Sequence, residues 1–450
     1  MRFDWPDDFA FRRPCGRAMP WFLFLPLVLT LGGTAAEPPV VARAMQLARE
    51  GATAAEGRDY ATYLAKMEAA VALRPDFPRM LVNLAAAQLV ADRPDESLAT
   101  LERLAVLGVS SPVEKSEDFV ALRPRPEFQA VVKKLAANLH PKGAGEVAFT
   151  LREVTGLIEG IAWRKKTGEF YFGDVNGRAV WRRKTDGTLQ RFTPEGADLF
   201  GVFGLAVDET AGALWAATSA VPAMRGFTAD QDGSAALAEI DIETGAVRRT
   251  IPVVRRAGDQ YSHVLGDLAL ANDGSVFATD SGGPILWRLP PGGSALESFV
   301  ENPEFLSLQG IAILPAGLAV LSDHANGLLR VDLTTRQVRR LDSPPDTTLI
   351  GIDGLALTEA GHLLAIQNGL RPNRILRIEF DGAADSVASA TVLESGHITM
   401  AAPSLGCIAV DGDFYYIGNA GWTRFENTDA APTAPRLVPV FRTKLPKPKK

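Results

Sequence analysis

The chain has 450 residues, 46% of them hydrophobic and 22% charged. At about 100–200 residues per domain this allows two or three domains, and it excludes a single small module, a disordered chain and a protein of many membrane spans. The 47 basic and 53 acidic side chains leave a net charge of −6, so there is no chain-wide positive field to hold nucleic acid, which is not an expected partner.

The run Met19–Leu31 is apolar, follows Arg12, Arg13 and Arg17, and leads into small residues ending at Ala36. That is the layout of a secretory signal peptide over residues 1–36, and it predicts an exported protein, periplasmic or secreted, with no transmembrane span after cleavage. The alternative is an anchor formed by the uncleaved segment, although Pro26 interrupts it and a span needs about 20 apolar residues. Cys15 leaves with the leader, so Cys407 is the one thiol of the mature chain and no internal disulfide forms. Cleavage also removes four Arg and three Asp, which leaves 43 basic and 50 acidic side chains.

Residues 37–140 read in helical period. Tyr63, Met67 and Ala70 share one face, as do Leu81, Leu84, Ala85 and Gln88. A 34-residue register places Gly57, Tyr60, Ala70 and Pro75 in a first copy and Leu81, Leu84, Asp92 and Leu101 in a second. This all-α segment resembles the tetratricopeptide repeat, with Pro126–Asn138 as a capping helix. The resemblance implies a protein partner for the segment; a helical hairpin domain with no groove is the other reading.

After His140–Gly145 the period changes to two. Glu159–Trp163, Phe203–Val207, Gly266–Leu270, Gln309–Ile313, Asp353–Leu357 and Gly406–Val410 are one five-residue line written six times. Their second residues lie 44, 63, 43, 44 and 53 apart. Polar turns follow most copies (Asn272-Asp273-Gly274, Glu359-Ala360-Gly361, Asp411-Gly412-Asp413). A second strand then ends on a polar residue, as at Asp174, Asp280, Asp323, Asn368 and Asn419. Six small antiparallel sheets, none with enough apolar surface to stand alone, predict an all-β six-bladed propeller over 146–442, ahead of a basic tail at 443–450. The strand at 146–153 pairs with the last blade and closes the ring.

The Glu-Gly at 159 and 160, the Asn-Asp-Gly turn and the Asp-Gly at 353 and 354 resemble the regucalcin and gluconolactonase family of six-bladed propellers over about residues 150–425. The resemblance implies that the leading residues of the innermost strands, Glu159, Phe203, Gly266, Gln309, Asp353 and Gly406, face the top of the channel. It also implies a divalent cation, Ca²⁺ before others, held there by Glu159, Gln309 and Asp353, with Asp267 beside them, and a small lactone or ester as substrate. Such an oxygen-only donor set suits a hard ion, which would polarise the ester carbonyl. Asp353 is then both ligand and candidate base, and His263, close in sequence to the third copy, is a second candidate base. The chain departs from the pattern at Gly266 and Gln309, where the family presents Asn, and at Phe203. The other reading of Glu159 and Asp353 is a channel pair bonded to backbone amides and water.

Asp280-Ser281-Gly282-Gly283-Pro284 has the letters around a protease nucleophile, but it occupies the same turn as 174–177 and 323–327, so the repeat explains it. The recurring Asp174, Asp280 and Asp323 are expected to bond turn amides. The five histidines contain no zinc-spaced pair. Two functions of different classes remain: a divalent-metal-dependent lactone or ester hydrolase, and a non-catalytic exported scaffold that binds through its helical repeat and propeller faces.

Overall fold

The computed structural model describes residues 38–445 apart from 144, 257, 383, 398–399, 410–411 and 426–433. The expected leader, Asp411 of the last polar turn and most of the basic tail lie outside these residues. The chain divides into two compact units, one of residues up to 75, 79–101 and 112–132, the other of 76–78, 102–111 and 133 onward.

The helices are α1 (Val40–Glu56), α2 (Tyr60–Leu73), α3 (Pro78–Val90), α4 (Pro94–Val106) and α5 (Pro126–Ala137). Asp59 caps α2 by accepting the Thr62 N–H at 3.1 Å. Proline opens α3, α4 and α5, where a missing backbone N–H leaves no bond unmade. The expected apolar faces are buried: Tyr63, Met67 and Ala70 on α2, and Leu81, Leu84 and Ala85 on α3. Two polar members are satisfied internally, Tyr63 by donating to the Asn83 carbonyl at 2.9 Å and Gln88 by accepting from Thr100 at 2.8 Å. No helix of the described residues is long and apolar enough to cross a membrane.

The strands form six four-stranded antiparallel sheets. The outermost strand of the last blade comes first in sequence, β1 (Glu146–Val154). Blade one is β2 (Ile158–Arg164), β3 (Glu169–Asp174), β4 (Ala179–Arg183) and β5 (Leu189–Arg191). Blade two is β6 (Gly201–Asp208), β7 (Ala213–Ser219), β8 (Ala235–Asp241) and β9 (Val247–Pro252). Blade three is β10 (Leu265–Leu270), β11 (Val276–Asp280), β12 (Ile285–Leu289) and β13 (Glu297–Glu301). Blade four is β14 (Leu308–Leu314), β15 (Leu318–Asp323), β16 (Gly327–Asp332) and β17 (Val338–Leu341). Blade five is β18 (Ile352–Leu357), β19 (Leu363–Gln367), β20 (Arg374–Asp381) and β21 (Ser386–Ser395). Blade six is β22 (Gly406–Ile408), β23 (Phe414–Ile417) and β24 (Arg436–Thr443), completed by β1, whose Leu151 pairs with Val438. The expected ring closure is therefore present, and it leaves no blade edge open between the first and last strands of the ring. Successive innermost strands β2, β6, β10, β14, β18 and β22 are all in contact, the last returning to the first.

One residue per blade, Ile161, Leu205, Leu268, Ile311, Leu355 and Ile408, lines a single cavity of about 190 Å³. The six copies thus share one hub in one register. The repeated glycine has a steric cause there. A Cβ at Gly310 would stand 2.5 Å from the Asp353 carbonyl oxygen of the next blade, and one at Gly160 would overlap the Phe203 carbonyl.

The recurring aspartate does what the turn reading expects. Asp280 Oδ1 accepts the N–H groups of Val264, Gly282 and Gly283 at 3.0 Å, and Oδ2 accepts Trp287 Nε1 at 3.0 Å. Asp323 takes four backbone N–H groups, from Leu306, Ser307, Ala325 and Asn326. In blade five Gln367 stands at that place, and its partner seven residues on is Arg374, where blades one and three have Trp181 and Trp287. Ser281 donates to the Leu308 carbonyl at 2.6 Å, a turn-to-blade bond rather than a nucleophile's contact with a base.

Candidate functional site

Five of the six innermost strands carry a register shift at the same place: between Ile158 and Ile161, Val202 and Leu205, Leu265 and Leu268, Leu308 and Ile311, and Ile352 and Leu355. The skipped pairs are Glu159-Gly160, Phe203-Gly204, Gly266-Asp267, Gln309-Gly310 and Asp353-Gly354. A bulge releases two residues from the ladder and re-aims their side chains. Every residue expected at the metal site therefore sits in a bulge of the innermost ring.

Freed backbone groups are satisfied by hydroxyls that reach from blade to blade, two from second strands (Thr279, Ser322) and one, Ser404, from the segment ahead of β22. Thr279 accepts the Asp267 N–H at 3.2 Å and donates to the Gln309 carbonyl. Ser322 accepts the Gly310 N–H at 2.7 Å and donates to the Asp353 carbonyl at 2.5 Å. Ser404 donates to the Glu159 carbonyl at 3.0 Å. These bonds set the backbone from which the site's side chains project.

Each of the three expected ligands is anchored by a side-chain hydrogen bond. Glu159 is 8% exposed, and its Oε2 accepts the Trp422 indole N–H at 2.8 Å. Gln309 Nε2 donates to Ser307 Oγ at 3.1 Å. Asp353 Oδ2 accepts from Asn368 Nδ2 at 2.5 Å. Asn368 Nδ2 also donates to the Pro403 carbonyl at 2.8 Å, and its Oδ1 lies 3.3 Å from His324 Nε2. Neither Trp422 nor His324 is among the residues that sequence reasoning brings to the site. Trp422 lies 263 residues from Glu159, and no local pattern couples them. Asn368 is visible in the sequence only as the polar end of a second strand.

Asp267 occupies the glycine position of its copy and lines the central cavity. Burial, with the Asp353 charge as a smaller contribution, pushes its pKa up to about 8. At neutral pH it carries a proton and presents a donor. His263 is fully buried, with Nδ1 2.6 Å from Asp280 Oδ2 and Nε2 2.8 Å from Asp259 Oδ2. Burial works to lower its pKa, but the two aspartates outweigh that and hold it above the ordinary value. Both ring nitrogens are engaged, so the imidazole bridges the loop ahead of β10 to the end of β11. Among the described residues no three His, Cys, Asp or Glu side chains group as ligands of one ion; the expected set is two carboxylates and an amide.

No family model and no curated protein matches the chain. Among solved structures it is similar to a gluconolactonase from Xanthomonas campestris, at 18% identity over 65% of this chain and 88% of that one, with a TM-score of 0.43. It is also similar to a calcium-binding protein, regucalcin, from Agrobacterium tumefaciens (12% identity, 64% of this chain and 89% of that one, TM-score 0.43). A third is a virginiamycin B lyase from Staphylococcus aureus (13% identity, 61% of this chain and 82% of that one, TM-score 0.42). The architecture itself rests on this chain's own strand pairing: a helical segment followed by a six-bladed β-propeller.

Proposed function

We propose that the hub bulges form the functional site and that the chain is an exported, divalent-cation-dependent hydrolase of small lactones or esters. The observation that carries this is the placement of Glu159, Gln309 and Asp353 in equivalent bulges around one hub, with Trp422, Ser307 and Asn368 bonded to their side chains. Two carboxylates and an amide fit a hard cation, and outer hydrogen bonds of this kind orient ligands. Asp267 stands beside this set, and its raised pKa makes it a proton donor to the channel when no cation is bound. A bound Ca²⁺ or Mg²⁺ supplies Lewis acidity toward the ester carbonyl.

The chain's own residues do the rest. Asp353, fixed by Asn368, takes a proton from the attacking water as that oxygen bonds the acyl carbon. It returns the proton to the alkoxide released when the acyl–oxygen bond breaks, giving an acid and an alcohol. His263, clamped by Asp259 and Asp280, orders the loop ahead of β10.

The second reading, a non-catalytic binding protein with a vestigial channel, is favoured by Phe203, Gly266 and Gly406, three hub positions that bring no side-chain oxygen. Melting curves with and without Ca²⁺, alongside phenyl acetate turnover, separate the two. The hydrolase reading expects Ca²⁺ to raise the melting temperature and Asp353→Ala to abolish both that rise and the turnover. It fails if Ca²⁺ leaves the melting temperature unmoved and Asp353→Ala leaves turnover intact. Export is tested by the N-terminus of the protein recovered from its cells, expected near Glu37; an intact Met1 would refute cleavage.

A further inference from the structure

The 63-residue spacing between the second and third copies is the longest in the ring, and its excursion between β7 and β8 supplies Ala220, Val221, Ala223, Met224 and Phe227 to an apolar cluster that includes Phe203 and Trp422. Phe203 takes, in the second blade, the bulge position that Glu159 takes in the first, and it is 4% exposed. The same apolar cluster takes in Phe227 from the excursion between β7 and β8, Phe200 from the approach to β6, and Trp422 and Phe425 from the segment after β23. Phe200, Phe227 and Trp422 remain partly exposed at the edge of this cluster. The Phe203 and Trp422 ring centroids are 6.1 Å apart with planes tilted by 33°. The same indole donates its N–H to Glu159 Oε2 at 2.8 Å. One side chain therefore joins the two surfaces, its polar edge on the carboxylate and its ring in the aromatic cluster.

This juxtaposition selects among esters. A hydroxyl laid against aromatic carbon gives up water and gains no partner, a penalty of roughly tenfold in affinity for each one buried. An alkyl or aryl group laid there is removed from water instead, a gain of roughly fourfold for each buried methylene. The ring faces add dispersion and offset-stacking contact for an aryl group.

We propose that the site takes lactones or esters bearing an alkyl or aryl substituent, which lies against Trp422 and the Phe200–Phe227 edge, and that it discriminates against polyhydroxylated sugar lactones. The proposal rests on the hydrolase reading above and names its substrate class. The aromatic set is a specificity surface; the proton-transfer role stays with Asp353.

The test compares kcat/KM of the full chain, with Ca²⁺ present, for δ-decalactone, δ-valerolactone and glucono-δ-lactone. The expected order is decalactone above valerolactone by tenfold or more, through KM, with gluconolactone lowest. Trp422→Ala should collapse the decalactone preference, and Trp422→Phe, which keeps a ring but loses the N–H, should retain most of it. If Trp422→Ala does not fold, Phe227→Ala, at the partly exposed edge, should reduce the preference in the same direction. Gluconolactone turned over as well as decalactone, or a preference untouched by these variants, overturns the proposal. Calorimetric binding of 2-pentylcyclohexanone, which carries the alkyl group but no hydrolysable bond, separates the two failures. Binding that Trp422→Ala or Phe227→Ala weakens supports the aromatic surface even where no lactone is hydrolysed; no binding and no alkyl preference refutes it.

Discussion

Asp267→Asn probes the hub through its protonation. The carboxyl titrates near pH 8 in the folded chain against an ordinary 3.8, so between those values the folded state holds a proton that the unfolded state has released. Stability from this group is therefore greatest below pH 3.8 and is lost as pH rises through 8. A shift of about four pKa units corresponds to on the order of 5 kcal/mol in all, of which about 4 kcal/mol falls between pH 5 and 9. Asparagine keeps the shape and a donor in place of the acid O–H but does not titrate, so the variant loses this slope. His263, whose pKa is also raised, contributes a slope of the same sign in both proteins, and it cancels in the difference. Urea unfolding followed by tryptophan fluorescence at pH 5, 7 and 9 gives the readout. The expected outcome is a wild-type midpoint that falls further across the series than that of Asp267→Asn, with the variant the more stable at pH 9. Parallel slopes would show that the side chain is solvated rather than enclosed in the hub.

The other perturbations address neighbouring parts of the ring. Thr279→Val strands the Asp267 N–H and the Gln309 carbonyl together, and is expected to cost about 2–4 kcal/mol in urea unfolding. Thr218→Val loses one bond, to the Ala236 carbonyl, and is expected to cost about 1 kcal/mol; equal losses in the two variants would remove the blade-to-blade role of Thr279. Asp323→Ala leaves four backbone N–H groups without their acceptor and should lower the melting temperature by more than any exposed Asp→Ala change, such as Asp342→Ala. Cys407 is partly buried, and desolvation raises its thiol well above the ordinary pKa, so a thiol reagent should label the folded chain far more slowly than the denatured one; equal rates would contradict the raised pKa.

The blades are legible in the sequence because each contributes the same apolar line at the same register, and at Gly160, Gly310 and Gly354 a carbonyl of the next blade leaves no room for a Cβ. The recurring aspartates are legible for a similar reason: a polar residue at the end of a strand, before a turn, has several free N–H groups within reach. The fourth strands are not legible. Leu189–Arg191 and Val338–Leu341 are short, edge-placed and rich in Arg and Gln, so no two-residue apolar alternation marks them. Thr279 and Ser322 are visible at the ends of the second strands, but their role depends on a bulge, and a bulge arises from pairing that a single strand does not display.

The expected ligand positions follow from register alone and share the ring of bulges. Their anchors do not follow, because Trp422 reaches Glu159 across the joint where the last blade meets the first. The repeat places Asp267 beside the third hub position, but its raised pKa is hidden in the sequence, because it follows from burial that only ring closure brings. Fold and register are thus carried by local repetition, whereas the chemistry of the hub comes from residues that only ring closure brings together.

The claim that the hub holds a cation is tested most directly by long-wavelength anomalous diffraction from crystals of the chain grown with Ca²⁺. The expected result is one anomalous peak about 2.3–2.6 Å from oxygens of Glu159, Gln309 and Asp353. A map with no peak there, and with Glu159 still on Trp422 and Asp353 still on Asn368, would contradict it.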